Sequence, residues 1–160
     1  MLVRAFNQPD LAPLTALTIE TFRPFHEEVF RPLMGEAVSA VEYGDWREGY
    51  REQVAGLHAP DRHAHVAVAE IDGDIAGYVA WNVDPARRKA VVTILAVAAH
   101  HRRRRVGATL CEHAFARMRA LGAQVVEIGT GGDPFHAPAR ALYEELGCTA
   151  LPVAVYYRPL

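Results

Sequence analysis

Four consecutive arginines stand just before a glycine at the start of a predicted helix. Arg102 to Arg105 follow an apolar run, and Gly107 comes shortly after the last arginine. A helix N-terminus leaves backbone N–H groups unpaired and carries about half a positive charge. Glycine lets an anion approach the backbone, and arginine adds planar donor groups that suit phosphate. The segment predicts a phosphate-bearing ligand; the alternative is a solvated charge run.

Two common nucleotide-binding motifs are absent. No Gly-Lys-Ser/Thr follows a glycine-rich loop, which excludes a P-loop. No Gly-x-Gly-x-x-Gly follows the first predicted strand, which excludes a Rossmann dinucleotide site. The predicted phosphate ligand must therefore be held by another kind of turn.

The arginine segment resembles motif A of the GNAT acetyltransferases. That motif is a hydrophobic strand, the pattern Q/R-x-x-G-x-G/A and then a helix. Here Arg102 takes the first position of the pattern and Gly107 the last, and the strand ends as Leu95-x-Val97. Arg105 stands where the family usually has glycine, so its side chain would either crowd a diphosphate or bind it.

A second match to the same family lies downstream. The family often shows N-x-x-A-x-x-L-Y-E-x-x-G-F. This chain has His136-Ala-Pro-Ala-Arg-Ala-Leu-Tyr-Glu-Glu-Leu-Gly-Cys148, with His136 in place of Asn and Cys148 in place of Phe. The two motifs occur in the family's order, with a predicted strand between them.

The resemblance implies that acetyl-CoA is a co-substrate. Backbone groups of the strand that ends at Val97 would contact its pantetheine arm. The turn from Arg102 to Ala108 would cradle its pyrophosphate. The residues assigned to acetyl-CoA on this basis are Leu95, Ala96, Val97, Arg102, Arg103, Arg104, Arg105, Val106, Gly107, Ala108, His136 and Arg140.

The resemblance also implies two catalytic residues. Tyr143 would protonate the leaving thiolate, which a phenol with a pKa of about 10 can do; the alternative is core packing. Some family members use a Glu on the strand after the motif A helix as the base, and Glu127 lies there; the alternatives are a solvated Glu or proton transfer to water. Asp133 is expected to cap or turn its loop, and His136 to cap the next helix.

The elements that must position these residues alternate between helix and strand. Asp72-Gly73 between two alternating runs predicts a hairpin with a primed turn, and Asp45 and Glu48 predict a helix start. The predicted helices cover about 10–22, 25–33, 45–58, 106–121 and 137–146. The predicted strands cover about 2–6, 64–68, 75–81, 90–99, 124–128 and 153–157.

These elements predict a mixed α/β sheet with helices on both faces. The resemblance makes this a single GNAT-like acetyltransferase domain over residues 1–160, with a mostly antiparallel sheet. Pro24 is expected to interrupt the first helical region, and Gly35 to end the second.

Composition excludes several function classes. The net charge of −2 argues against nucleic-acid binding. The two cysteines and eight histidines form no metal motif, so no metal is expected, and two cysteines without a disulfide framework fit a cytoplasmic location. No signal-peptide pattern is seen, and the longest apolar stretch, 90–99, is about half the ~20 residues of a membrane helix.

The predicted function is direct transfer of an acetyl group from acetyl-CoA to a primary amine of a small molecule or peptide. The alternatives are a non-catalytic CoA-binding or CoA-sensing domain and a nucleic-acid binder that uses the arginine run. Aromatic and acidic residues of the first third suit an amine acceptor, a homodimer interface or plain helix packing. They are Phe22, Phe25, His26, Glu27, Glu28, Phe30, Tyr43 and Trp46.

Overall fold

Five strands form one sheet in the order β1-β2-β3-β4-β5 in the computed structural model, which describes all 160 residues. The first four strands pair antiparallel, and β5 runs parallel to β4. The predicted mixed, mostly antiparallel sheet is therefore confirmed. The strands are β1 (Leu2–Ala5), β2 (Ala64–Ile71), β3 (Asp74–Asp84), β4 (Lys89–Val97) and β5 (Val125–Ile128).

The β2–β3 hairpin turns at the predicted dipeptide. Asp72 and Gly73 both have positive φ, 54° and 90°. A primed two-residue turn requires this conformation at both central positions, and Asp and Gly tolerate it better than most residues. The turn pairs β2 and β3 along almost their whole length and so builds the centre of the sheet.

Five α-helices surround the sheet, and none is both long and apolar enough to cross a bilayer. The Asp45 carboxylate accepts a hydrogen bond from the Glu48 N–H at 3.1 Å, as the predicted helix start requires. Gly122 and Gly147, with φ of 90° and 82°, follow the last two helices. The helices are α1 (Leu11–Pro24), α2 (Arg31–Glu42), α3 (Trp46–Ala55), α4 (Val106–Ala120) and α5 (Ala137–Glu145).

The first α-helix ends at Pro24, where an interruption is expected, but the helical path does not stop there. The chain continues from α1 into α2 through a π-helical segment, Phe25–Phe30. Proline removes only one backbone donor, and a widened turn after it lets the helical path continue. Gly35 is non-helical, with φ of 78° and ψ of 172°, so the second helical piece ends there as predicted, and a further helical piece continues from it to Glu42.

Apolar residues on the two faces of the sheet form two separate core clusters. On one face α4 contributes Val106, Leu110 and Met118. On the other face α1 and α3 contribute Leu14 and Val54. Helices therefore cover both faces of the sheet, as the sequence predicts.

The predicted strand at residues 153–157 is absent. No backbone hydrogen bond involves residues 149–160, and Val153, Val155 and Tyr156 are 79%, 66% and 92% exposed. Alternating apolar residues supply strand propensity, but a strand also needs a neighbour for its backbone groups. Within the single chain this segment has none.

Candidate active site

β4 and β5 diverge and leave an open cleft in the sheet. Their parallel pairing covers only Lys89 to Val92, opposite Val125 to Ile128. β4 then continues to Val97 paired with β3 alone. The backbone groups on the β5 side of its C-terminal half therefore have no strand partner and are free to bind an extended ligand.

A β-bulge in β4 lies where the strands diverge. Ala80 pairs with Ile94 and Trp81 with Val92, which leaves Thr93 as an extra residue. The extra residue changes which positions face each core cluster, since Val92 packs on the α4 side and Ile94 on the α1 side. Thr93 is exposed at this point, and bulges are frequent next to active sites.

A cavity of about 230 Å³ occupies the cleft. It is bounded by β4, the loop after β5, and residues of α1, α3 and α5. Its lining contains no carboxylate, lysine or arginine side chain. The lining residues are Phe22, Tyr50, Gln53, Val92, Thr93, Ile94, Leu95, Ile128, Gly129, Thr130, His136, Ala139 and Tyr143.

Tyr143 lines this cavity from α5. Burial is the largest cause that raises its pKa above the ordinary value of 10. A phenol with a raised pKa keeps its proton over the whole working pH range. Tyr143 is therefore placed and protonated as a proton donor to a group in the cavity would have to be.

The turn from Arg102 to Arg105 follows the open end of β4. The Arg102 Nε donates to the Val97 carbonyl at 3.3 Å. Arg105 has a φ of 59°, which explains why glycine suits this position in similar sequences. Its guanidinium is 2.9 Å from the Glu145 carboxylate of α5, so the structure pairs it with a carboxylate of the protein.

Gly107 has a packing role in addition to the predicted backbone exposure. A Cβ at this position would lie 3.1 Å from the Leu142 Cδ2 and 3.8 Å from the Val97 Cγ2. The glycine thus lets the start of α4 approach α5 closely. Val106 and Ala108 are buried, so only their backbone groups are available to a ligand.

Glu127 lies outside the cavity. Its exposed carboxylate forms an ion pair with Lys89, and the hydrogen bond from Lys89 is the largest cause that lowers its pKa. The structure brings Tyr143 and His136 together in the cavity lining but does not place Glu127 with them.

The loop before α5 is organised by Asp133. Its Oδ1 accepts the His136 backbone N–H at 3.2 Å, as a capping carboxylate does, and its Oδ2 lies 2.6 Å from the His136 Nδ1. His136 occupies the N-cap position of α5, as expected, but its side chain makes no capping bond. Arg140 donates to the carbonyls of Gly131 and Asp133 at 2.5 and 2.8 Å and so holds the loop.

Phe22 and Tyr50 form an aromatic wall of the cavity, and further aromatic rings pack against Tyr50. His26 stacks on Trp46 with ring centroids 4.6 Å apart, and its Nε2 lies 3.2 Å from the Tyr50 hydroxyl. Burial, with a smaller contribution from Arg47, lowers the pKa of His26 to about 4. His26 is therefore a neutral packing residue near pH 7.

Sequence reasoning missed three residues of this region. Tyr50 and Gln53 line the cavity. The Phe135 ring packs near Phe22 and Phe25, with ring centroids 6.3 and 5.9 Å away. Tyr50 follows Trp46 by one helical turn, and Phe135 directly precedes His136. Helical spacing from Trp46 is the signal that could have found Tyr50.

Comparison with known proteins identifies a family. The model of the acetyltransferase (GNAT) family matches residues 20–148. A search of curated proteins gives no match. The matched range contains the cleft, both sequence motifs and the aromatic wall.

Several solved structures share the fold. A mutant of the BH1408 protein from Bacillus halodurans has a TM-score of 0.73 at 17% identity, covering 100% of both chains. AAC(6')-Iy in complex with a bisubstrate analogue, CoA-S-monomethyl-acetylneamine, has a TM-score of 0.68 at 13% identity. The match covers 99% of this chain and 97% of that one. Ribosomal-protein-alanine N-acetyltransferase from Brucella melitensis has 0.64 at 16%, covering 99% of both.

Proposed function

Because this chain belongs to the GNAT acetyltransferase family, we propose that it transfers the acetyl group of acetyl-CoA directly to a primary amine of a small molecule or peptide. The observation that carries the proposal is the cleft between β4 and β5. There an unpaired strand edge and a protonated tyrosine adjoin one cavity, and the same strand leads on to the cationic turn at the start of α4.

Acetyl-CoA would lie along the open edge of β4. Backbone groups of Leu95, Ala96 and Val97 would bind its pantetheine arm. The backbone N–H groups at the start of α4, from Arg105 to Ala108, would bind the pyrophosphate, with Arg102 to Arg104 adding positive charge. His136 would contact the thioester end, whereas Arg140 would act through the loop that it holds.

The chemistry needs no covalent acyl-enzyme. A neutral amine attacks the thioester carbon, the C–N bond forms, and the C–S bond breaks with its electron pair on sulfur. The thiolate takes the Tyr143 hydroxyl proton. The nitrogen of the new amide, which is still protonated, then returns one proton to the Tyr143 phenolate. Burial raises the pKa of the Cys111 thiol to about 12, so this cysteine is not a thiolate nucleophile.

The acceptor that fits this cavity carries one amine on an apolar or aromatic body. Phe22 and Tyr50 line the cavity, and its lining contains no carboxylate. A polycation would enter without charge compensation and would be disfavoured. Glu27 is not free to compensate a second positive charge, because its Oε1 lies 2.5 Å from the Arg47 guanidinium.

The family resemblance predicts Glu127 as one candidate for the base, although its carboxylate does not line the cavity. Its ion pair with Lys89 would have to open before it could accept a proton from an amine. Glu127→Gln tests this directly. An unchanged kcat/KM for the acceptor across pH would remove Glu127 from the mechanism.

Release of free thiol from acetyl-CoA, measured across a panel of primary amines, tests acetyl transfer. We expect release with at least one monoamine and none without an acceptor. Calorimetry with acetyl-CoA separates the alternative: binding with no thiol release from any amine would favour a non-catalytic CoA-binding domain. Gly107→Glu, which places a side chain against Leu142 and a charge at the helix start, should abolish acetyl-CoA binding.

A homodimer is the assembly that the C-terminal segment supports. Residues 149–160 make no backbone hydrogen bond, Leu151 is 84% exposed, and β5 has a free outer edge. We propose that this segment of one copy pairs with β5 of a second. Light scattering should give a dimer for the full chain and a monomer for a chain that ends at Ala150; a monomeric full chain would contradict the proposal.

A cytoplasmic location also belongs to the proposal. Cys111 and Cys148 are both free in the structure. Free thiols are maintained in reducing compartments, where acetyl-CoA is also available to a transferase. Fractionation of the source cells with an antibody to the protein would test it.

A further inference from the structure

His136 and Asp133 form a carboxylate–imidazole pair at the cavity. The two side chains are largely buried, and the His136 Nδ1 lies 2.6 Å from the Asp133 Oδ2. Burial acts to raise the pKa of Asp133, but the hydrogen bond and charge of His136 outweigh it and lower that pKa below its ordinary value. Asp133 is therefore ionised at neutral pH.

This pairing determines which ring nitrogen of His136 carries the hydrogen and which one keeps a free lone pair. An ionised carboxylate can only accept hydrogen bonds, so Nδ1 must carry the hydrogen that lies between the two groups. In the neutral ring Nε2 then has an unprotonated lone pair. Nε2 has no hydrogen-bond partner within the protein, while His136 lines the cavity.

The surroundings hold the imidazole ring in one orientation. Phe25 and Phe135 meet it edge-on, with ring centroids 4.9 and 4.8 Å away. Arg140 fixes the loop through two carbonyls. At Gly131 a Cβ would lie 2.2 Å from the Asp133 Oδ2 and 2.5 Å from the His136 Nδ1, so the loop can pass the pair only with glycine there.

Apart from His136, the cavity lining offers no imidazole, carboxylate or amine side chain that could act as a base. Tyr50 and Tyr143 are the other titratable groups that line the cavity, and burial raises the pKa of both, which keeps them protonated. The charged groups next to His136 on its own loop and helix are Asp133 and Arg140. A proton that leaves an acceptor in this cavity has His136 as its available side-chain acceptor.

We propose that His136 is the general base of the reaction and that Asp133 is its positioning residue. The proposal rests on the acetyl transfer proposed above and replaces Glu127 in that role. The acceptor ammonium gives one proton to the His136 Nε2, which becomes an imidazolium bound to the Asp133 carboxylate. The resulting neutral amine attacks the thioester carbon, and the imidazolium later releases its proton to solvent.

His136→Asn tests the base, because asparagine keeps hydrogen-bonding capacity and cannot accept the proton. Thiol release is measured with tyramine, or with whichever amine of the panel reacts fastest, at saturating acetyl-CoA across pH. We expect kcat/KM for the amine to fall on the order of 10²–10³-fold. The matched control is His63→Asn, an exposed histidine with a φ of 59° that asparagine tolerates; it should react like the unaltered enzyme.

Two outcomes would overturn the base without touching acetyl transfer. One is an unchanged kcat/KM in His136→Asn. The other is a weaker acetyl-CoA affinity with kcat retained at saturation, which would assign His136 to the cofactor alone. An unaltered enzyme that releases no thiol with any amine would instead overturn acetyl transfer itself, and this proposal with it.

Asp133→Asn tests the positioning role. The amide still accepts the Nδ1 hydrogen, but its lost charge no longer stabilises the imidazolium. We expect the acid limb of kcat/KM to move to lower pH and the rate to fall about 10-fold or more. Nitrogen NMR of the histidine rings should show His136 in the Nδ1–H form at neutral pH; an Nε2–H form, or an unmoved acid limb in Asp133→Asn, would overturn the pair.

Discussion

The two walls of the cavity are built from different chemical groups. The wall formed by β4 offers backbone groups along an unpaired strand edge beyond Val92, and the strand leads on to the N–H groups around Gly107 at the start of α4. The opposite wall offers side chains, among them Phe22, Tyr50 and His136. Backbone recognition suits a ligand part that is the same in every reaction, and side-chain recognition suits one that differs.

This difference explains why one wall is visible in the sequence and the other is not. A backbone site needs a particular chain path, so it restricts residue types at fixed spacing, as in the pattern from Arg102 to Gly107. A side-chain wall is assembled from α1, α3 and the loop before α5, which are far apart in the sequence. No local pattern joins them.

The largest expected effect lies where the two walls meet, at Tyr143. Tyr143→Phe removes only the hydroxyl, so the ring should still pack, and kcat should fall on the order of 10²–10⁴-fold because the thiolate leaves without a proton donor. Steady-state kinetics at saturating acetyl-CoA measure this, with calorimetry to show that acetyl-CoA affinity is unchanged.

Tyr50→Phe is the matched control for Tyr143→Phe. Its hydroxyl faces His26 on the aromatic wall, so the change should alter the KM for the acceptor more than kcat. Equal kcat values for Tyr143→Phe and the unaltered enzyme, when chemistry limits the rate, would show that Tyr143 only packs.

A smaller effect is expected from one added methyl group on the loop of the side-chain wall. The Cβ of Gly131→Ala would collide with the Asp133–His136 pair, and a displacement of about 1 Å near reacting atoms costs on the order of 10²-fold in rate. Gly132→Ala is the control, since its Cβ meets nothing within 4 Å. Similar kcat/KM values for the two variants would contradict the importance of this loop geometry.

The same contrast accounts for what the sequence predicts well and poorly. The Asp72-Gly73 hairpin, the Asp45 cap and the glycine ends of α4 and α5 are local events, and each is where the sequence predicts it. The continuation past Pro24 and the missing strand at 153–157 depend on neighbours that no local pattern describes.

The candidate site divides in the same way. Tyr143 and the turn at Arg102 stand in motifs, so the resemblance places them next to the cleft. The Asp133–His136 pair was open to prediction only as a helix cap, because its contact with the cavity depends on the path of the glycine-rich loop. The bulge at Thr93 depends on the register between β3 and β4, which pairing across the sheet decides.

Acid should weaken the side-chain wall and leave the arginine turn charged. The pKa of His26 is about 4 in the folded protein and 6.5 as its ordinary value, so between these values the unfolded chain binds a proton that the folded chain does not. The free energy of unfolding therefore decreases as the pH falls below 6.5. At 1.36 kcal/mol per pH unit, the loss is roughly 2 kcal/mol by pH 5.

Urea unfolding at pH 7.5 and pH 5 measures this loss, with His26→Phe as the comparison. Phenylalanine keeps an aromatic ring against Trp46 and has no titrating group. The variant should lose less stability than the unaltered protein over this range. Equal losses would show that His26 does not couple folding to pH and that other histidines carry the acid sensitivity.

The smallest effect is expected at Arg105, and it decides whether the β4–α4 wall uses backbone groups alone. Arg105 has a φ of 59°, so Arg105→Gly should be more stable to urea than Arg105→Ala by about 1 kcal/mol, the cost of the left-handed conformation for a residue with a Cβ. Both variants lose the same exposed ion pair with Glu145, so it cancels in the comparison. Acetyl-CoA affinity, measured by calorimetry, should change less than about 3-fold in Arg105→Gly, since a rim charge contributes under 1 kcal/mol. A loss of 10-fold or more would mean that the Arg105 guanidinium leaves Glu145 to bind the pyrophosphate, and the wall would then recognise its ligand through a side chain as well.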